Sequence, residues 1–211
     1  MIGIKFMKYF ASLMMFLAFS VSVAFAQGAL PPDALIKKVT EDILSTVRAD
    51  KDIQSGDTRK AIELVRAKAV PYFNFKRMTA LAMGRDWRQA SAEQKAKLTA
   101  EFEQLLIRTY SNALTGYKDQ TIRYKPFKAR EGETDVVVKT EVLQPGGQPI
   151  QLDYALEKDS DGWKVFDVVV AGVSLVTNYR DTFNQEVRTN GVDGLIKMLA
   201  DKNKQLEAGK K

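Results

Sequence analysis

Two of the side chains that most often carry enzyme chemistry are missing from this sequence. Its 211 residues include no cysteine and no histidine. Without cysteine the fold holds no disulfide and no thiolate nucleophile. Without histidine it lacks the usual general base at neutral pH and the commonest metal ligand. The sequence also has no P-loop, no Gly-x-Ser-x-Gly elbow and no Rossmann glycine pattern. Most classes of enzyme are therefore disfavoured.

The charge balance is modestly basic. The chain has 32 Lys and Arg against 26 Asp and Glu, for a formal net charge of +6. Such a surplus fits attraction to anionic membranes or to acidic protein surfaces. An arginine-rich run with interleaved aromatic residues is absent from the sequence, which argues against nucleic acid as a partner.

The first 26 residues have the pattern of a cleaved signal peptide. Lys5 and Lys8 precede an apolar run that ends in Ala24-Phe25-Ala26, a small-x-small cleavage site. A membrane anchor is the alternative, because the apolar run is nearly long enough to span a bilayer. We interpret 1–26 as a signal peptide, so the mature protein is exported and comprises residues 27–211.

The first half of the mature chain predicts a layer of helices. Apolar residues recur there at spacings of three and four residues. Asn74 and Gly84 bound one short helix. Ser91 and Gln94 form a capping box, Ser-x-x-Gln, that opens the longest helix, from about 92 to 116. The apolar stripe of this helix is wide, so we expect it to contact more than one neighbouring layer.

After Gly116 the apolar pattern changes from helical to alternating. Four segments predict strands joined by short turns, two of the turns at 144–148 and 159–162. The last strand is apolar on both faces and breaks at Ala171-Gly172, after which helical spacing returns. An antiparallel meander with one polar face, packed against helices, gives an α+β fold.

The C-terminal region predicts two helices. Asn190-Gly191 ends the first, and a short second helix is followed by a soluble tail from Lys202. We find no internal repeat and no flexible linker, so residues 27–211 are expected to form a single domain. Its predicted parts are helices over about 31–117, a sheet over about 120–171 and C-terminal helices over about 174–206.

The candidate acid–base groups are few, and they are Asp153, Tyr154, Asp167 and Tyr179. Strand alternation predicts Asp167 on the same side as Val165, in an apolar setting. An unpaired carboxylate there would have a raised pKa, as an acid–base residue requires. The structural alternative is a hydrogen bond or ion pair to Arg85, Arg88 or a backbone amide.

A string of short motifs gives the chain a family resemblance. Those motifs are Met78…Gly84-Arg85-Asp86-Trp87-Arg88, Glu93-Gln94, Phe102, Arg108-Thr109-Tyr110, Asp153-Tyr154, Gly162-Trp163-Lys164-Val165, Asp167-Val168, and Gly172-Val173-Ser174-Leu175-Val176…Asn178-Tyr179-Arg180…Phe183. Together they resemble the toluene-tolerance family, the periplasmic phospholipid-binding component of the Mla lipid-asymmetry pathway. The resemblance runs from about Phe73 to Leu199. One departure is Ala171, where the family pattern has an acidic residue; it affects a polar contact at the turn and leaves the apolar lining unchanged.

The resemblance implies a fold and a function. The sheet, of about four curved strands, would resemble the nuclear-transport-factor-2-like cone and be embraced by helices, with acyl chains between them. The protein would be a periplasmic carrier and not an enzyme, with no cofactor and with phospholipid as its cargo. It would pass lipid between an outer-membrane lipoprotein–porin complex and an inner-membrane ABC transporter complex, and so maintain outer-membrane lipid asymmetry.

Twelve residues from the sheet and the helices are predicted to line the lipid pocket, and each is alternatively ordinary core. They are Met78, Phe102, Leu106, Tyr110, Val138, Leu152, Tyr154, Val168, Val173, Val176, Tyr179 and Phe183. Two other functions are weighed against the carrier. One is a cone-fold enzyme of the isomerase type that uses Asp167 in an apolar pocket. The other is an envelope interaction module whose apolar face binds protein.

Overall fold

The computed structural model describes residues 30–209, so the predicted signal peptide lies outside the described residues. The helices are α1 Pro32–Ala49, α2 Lys51–Gln54, α3 Thr58–Lys68, α4 Phe75–Met83, α5 Ala92–Tyr110 and α6 Leu175–Ala208. Short 3-10 helices cover Val70–Tyr72, Gly84–Arg88 and Ser111–Leu114. The strands are β1 Thr121–Tyr124, β2 Asp135–Leu143, β3 Ile150–Asp159, β4 Gly162–Val170 and β5 Val173–Ser174. No helix within the described range is long and apolar enough to cross a membrane.

The sheet is an antiparallel meander with strand order β1-β2-β3-β4-β5. The predicted α+β class and curved antiparallel sheet are confirmed. The sheet has five strands and not four, because two residues pair back onto the end of β4 beyond the turn at Ala171-Gly172. Both turn residues have positive φ, 50° and 85° respectively.

Local capping sets the helix boundaries that the sequence predicts. The Asn74 side chain accepts a hydrogen bond from the backbone N–H of Arg77, and Gly84, at φ 59°, ends α4. Both halves of the Ser91/Gln94 capping box are formed at the start of α5. The predicted end of that helix near 116 is wrong, because the chain tightens into a 3-10 helix after Tyr110.

A β-bulge sets which side chains of β4 face inward. The pairing of β3 with β4 shifts by one residue, so that Phe166 is an extra residue in β4. Val165 and Val168 therefore share the inner face although they are three residues apart. Asp167 lies on the opposite, outer face, and its predicted position beside Val165 is wrong. Regular alternation could not reveal this change.

Asp167 joins the end of the sheet to the start of α6. Its carboxylate accepts hydrogen bonds from the Ser174 hydroxyl, at 2.5 Å, and from the backbone N–H groups of Val168 and Val176, at 2.8 and 3.2 Å. Ser174 in turn accepts a hydrogen bond from the N–H of Thr177 as the N-cap of α6. The carboxylate is thus paired with a hydroxyl and backbone amides near a helix N-terminus, where negative charge is favoured.

The C-terminal region has the predicted break between two helices. Gly191, within α6, has φ of 71° and ψ of −177°, which are not helical, so the predicted helix end at Asn190-Gly191 is confirmed. The second helix extends to Ala208, close to the predicted end near 206, so the segment from Lys202 is helical and not a separate tail. The second half of α6 is held by burial of Leu195 and Leu199 and by a hydrogen bond from the Asn203 amide to the Glu101 carbonyl of α5.

The helices α4, α5 and α6 share a solid hydrophobic core. Its centre is a triangle of aromatic rings from Phe102, Tyr179 and Phe183, with centroids 5.1 to 5.7 Å apart. Phe102 and Phe183 are fully buried. Ring pairs at this spacing and tilt add to the stabilisation that comes from burial alone.

The outer face of the sheet is tied to α4 by one arginine. Arg77 forms ion pairs with Asp135 and Glu157, at 2.7 and 2.5 Å. Its guanidinium also lies 3.6 Å from the centroid of the Phe166 ring. These contacts hold α4 across three strands of the sheet.

Candidate functional site

A cavity of about 660 Å³ lies between the inner face of the sheet and the helices α1, α3 and α5. None of the lining residues within 30–209 carries a charge. The lining residues are Leu35, Ile36, Val39, Thr40, Ile43, Val65, Ala69, Val70, Tyr72, Phe73, Phe75, Met78, Leu106, Ile107, Tyr110, Ser111, Ala113, Leu114, Val142, Ile150, Leu152, Tyr154, Val165, Val168, Val170, Val173, Leu175 and Asn178. An apolar hollow of this size with a few polar groups is typical of a site for a largely apolar ligand.

Seven of the twelve residues predicted to line a pocket meet at this cavity. They are Met78, Leu106, Tyr110, Leu152, Tyr154, Val168 and Val173. The other five lie outside the lining. Phe102, Val176 and Phe183 are enclosed in the core of α4, α5 and α6, and Tyr179 packs against that core. Val138 is buried where the inner face of the sheet is packed solid.

One wall of the cavity was missed from the sequence. It comes from α1, through Leu35, Ile36, Val39 and Ile43, with further residues from α3 and the segment after it. The apolar spacing of α1 predicts a buried stripe but not what the stripe faces. On the sheet, Val142 and Ile150 follow from the same alternation that gave Leu152, and Val170 from the alternation that gave Val168, whereas Val165 depends on the bulge.

The cavity opens between the end of α5 and the turn that leads into α6. Val173 and Tyr110 belong to the lining yet are 56% and 38% exposed. Exposed Ala113 and Asn178 complete this rim. Tyr179 stands behind it and shares a hydrogen bond with Tyr110; burial, then the neighbouring Tyr110, raises the pKa of Tyr179 to about 12. The four rim residues therefore carry no charge, and two of them have polar groups, the Tyr110 hydroxyl and the Asn178 amide.

A few hydroxyl groups interrupt the apolar lining. Burial raises the pKa of Tyr154 to about 12, and a hydrogen bond with Thr40 opposes the rise. Both tyrosines, Tyr154 and Tyr179, are therefore neutral at physiological pH. Ser111 is 2% exposed and lies at the start of the 3-10 helix that follows α5. The interior of the cavity carries hydrogen-bonding groups but no charge.

The candidate acid–base groups do not converge on one site. Tyr154 faces the cavity, whereas Asp167 faces away from it and is held by its three hydrogen bonds. Asp153 lies on the outer face of the sheet, where it accepts a hydrogen bond from Gln151. Within residues 30–209, no cluster of His, Cys, Asp or Glu could hold a metal ion. The geometry gives no support to an isomerase built on Asp167.

The comparison with known families agrees with the geometry of the fold. A family model described as MlaC protein matches residues 37–201, which reach from α1 into the second half of α6. The chain belongs to the MlaC family. The predicted resemblance is confirmed and extends further towards the N-terminus than the motifs did.

Two sequence relatives and one solved structure resemble this MlaC-family chain. The intermembrane phospholipid transport system binding protein MlaC of Haemophilus influenzae is 26% identical over 196 residues, which cover 92% of each chain. The toluene tolerance protein ttg2D of Pseudomonas putida is 26% identical over 167 residues, 79% of this chain and 77% of that protein. A phospholipid-binding protein from Ralstonia solanacearum, solved in complex with a phospholipid, has 41% identity and a TM-score of 0.78. The match covers 84% of this chain and 99% of that chain.

Proposed function

We propose that this protein is a phospholipid carrier that encloses acyl chains in the cavity between the sheet and the helices. The observation that carries the proposal is the cavity itself: about 660 Å³, with no charge in its lining. The relative from Ralstonia solanacearum, at 41% identity, was solved in complex with a phospholipid. The protein is a binding protein and not an enzyme, and it carries lipid as cargo without a cofactor.

The free energy of hydration explains why such a carrier is needed. Each methylene exposed to water costs about 0.8 kcal/mol, so two ordinary acyl chains cost on the order of 20 kcal/mol in free solution. A carrier has to replace the apolar surroundings of the bilayer nearly in full. The 28 lining residues do this with aliphatic and aromatic side chains and a few uncharged polar groups. We expect the acyl chains to decide affinity and the headgroup to contribute little.

The position of the mouth supports a carrier that also releases its cargo. Exposed Val173 and Tyr110 continue the apolar lining to the surface. A chain leaving the cavity therefore crosses an uncharged rim before it meets another apolar surface. A large exposed apolar rim is also a feature of sites that touch membranes or partner proteins.

The shuttle between two membrane complexes is the finer part of the proposal. The Haemophilus relative is named as the binding protein of an intermembrane phospholipid transport system. The signal-peptide pattern of residues 1–26 fits the periplasm. We infer that the protein receives and delivers lipid at an outer-membrane lipoprotein–porin complex and an inner-membrane ABC transporter complex, and so maintains lipid asymmetry.

Native mass spectrometry of the freshly purified protein tests the carrier. We expect an adduct with the mass of a two-chain phospholipid, released on unfolding and identified by tandem fragmentation. Protein that is uniformly empty, and that takes up no lipid from vesicles, would contradict the proposal and favour the interaction module. For the shuttle, the measurement is transfer of labelled phospholipid between proteoliposomes that carry the two complexes, with and without the protein.

A further inference from the structure

The lining of the cavity contains one hydroxyl group whose hydrogen bonding is incomplete. Ser111 is 2% exposed, and its Oγ has no hydrogen-bond partner among residues 30–209. Asp153 and Asn203 in that range also have a buried side-chain oxygen without such a partner, and neither residue belongs to the cavity lining. Buried polar groups are nearly always paired, so an exception needs an explanation.

Other helical hydroxyls of this chain show how such a group is ordinarily satisfied. Thr46, Thr79 and Thr99 each donate to the backbone carbonyl four residues earlier, at 2.7 to 2.8 Å. Ser111, at the end of α5, has the corresponding carbonyl of Ile107 four residues earlier, which accepts the backbone N–H of Ser111, but the Ser111 hydroxyl makes no bond to it. The Ser111 hydroxyl is therefore left without a partner in a residue that lines the cavity.

The place of Ser111 along the cavity indicates what would meet it. It directly follows Tyr110, which is 38% exposed at the mouth. When acyl chains fill the cavity and a headgroup stays outside, the ester linkages of a glycerolipid lie just inside the mouth. An ester carbonyl accepts hydrogen bonds and cannot donate them, which matches a hydroxyl donor.

We propose that the Ser111 hydroxyl donates a hydrogen bond to an acyl-ester carbonyl of the bound lipid, so that the protein distinguishes ester-linked from ether-linked chains. This proposal rests on the carrier function proposed above. Hydrophobic contact with the lining responds to the length of the acyl chains. The proposed hydrogen bond to the ester would in addition fix the depth to which the chains enter. The proposed hydrogen bond makes the protein selective for the chemical linkage of the acyl chains and not for the headgroup.

A competition experiment tests the proposal. Lipid-free protein is offered an equal mixture of two phosphatidylcholines with identical chains, one ester-linked and one ether-linked, and both adducts are counted by native mass spectrometry. We expect the ratio of ester to ether adduct to be about fivefold higher in the native protein than in Ser111→Ala, the effect of one neutral hydrogen bond. Thr99→Val is the matched control: it removes a partly buried hydroxyl of α5 outside the cavity lining and is expected to keep the native ratio.

The outcomes separate the two proposals. An unchanged ester-to-ether ratio in Ser111→Ala, or an equal loss of both lipids, overturns the role of Ser111 and leaves the carrier function standing. Failure of the native protein to bind either lipid overturns the carrier function and this inference with it. If Ser111→Ala does not fold, Ser111→Cys retains a weaker donor of similar size, and an intermediate ratio supports the proposal whereas a native ratio overturns it.

Discussion

Filling the floor of the cavity should expel the lipid and leave the fold intact. Leu152 lies in the middle strand of the inner face, pairs with Val170 and lines the cavity. In Leu152→Trp the new side chain has about six more heavy atoms than leucine, and the open space in front of it accepts them. Those atoms occupy room that about six acyl methylenes would otherwise fill.

The magnitude follows from the displaced methylenes. At about 0.8 kcal/mol each, six methylenes left in water weaken lipid binding by about 5 kcal/mol. This is more than a thousandfold in the dissociation constant. At the mouth, Val173→Trp is expected to have a much smaller effect, because Val173 is 56% exposed and a larger ring there can turn outward to solvent.

The assay is the amount of two-chain phospholipid that co-purifies with each variant, together with a displacement titration using a fluorescent lipid. Val137→Trp provides the matched control, since Val137 lies on the outer face of the same sheet and is 49% exposed. It should keep the native lipid content. If Leu152→Trp melts like the native protein and still carries a full equivalent of lipid, the cavity is not the lipid site.

Three further predictions concern the hydrogen bonds of Asp167 at the start of α6, the buried tyrosines and the break in α6 at Gly191. Asp167→Ala removes the acceptor of three hydrogen bonds, two of which join β4 to Ser174 and Val176 at the start of α6. We expect the free energy of unfolding to fall by about 2–3 kcal/mol and the melting temperature by about 5–10 °C in calorimetry, with Asp167→Asn much less affected. The pKa values of Tyr154 and Tyr179 are about 12, above the ordinary 10. Their contribution to stability is therefore complete below pH 10 and lost as the pH rises towards 12; phenolate absorbance should show a late-titrating fraction that Tyr154→Phe reduces. Gly191→Ala should destabilise the protein by about 1–3 kcal/mol in denaturant unfolding, because a backbone conformation with φ 71° and ψ −177° is adopted essentially by glycine alone. The control is Gly209→Ala, which should be nearly neutral because Gly209 has φ −73°.

Local chemistry made the element boundaries predictable from the sequence. The Ser91/Gln94 box and the Asn74 cap are short-range hydrogen-bonding patterns, and they define helix starts in the structure as they do in the sequence. Strand alternation likewise placed Leu152 and Tyr154 on the inner face. In each case the deciding contacts are within a few residues along the chain.

What the sequence could not supply was which neighbour each apolar face meets. Phe102 and Leu106 lie one turn apart on the same stripe of α5 and both pack into the core with α6, yet Leu106 also lines the cavity whereas Phe102 does not. This difference between Phe102 and Leu106 depends on where α1 and α6 cross α5, and the apolar periodicity of α5 does not reveal those crossing points. The wide stripe correctly predicted two neighbouring layers but not the division between them.

The bulge at Phe166 has a consequence for the insertions and deletions that this strand tolerates. In an ordinary strand, losing one residue turns every later side chain to the opposite face. Here the extra residue is Phe166 itself, so its deletion would keep Val165 and Val168 facing inward and Asp167 facing outward. The loss would fall on Arg77, which would no longer have an aromatic ring beneath it. Deletion of Val169, by contrast, would turn Val170 away from the cavity.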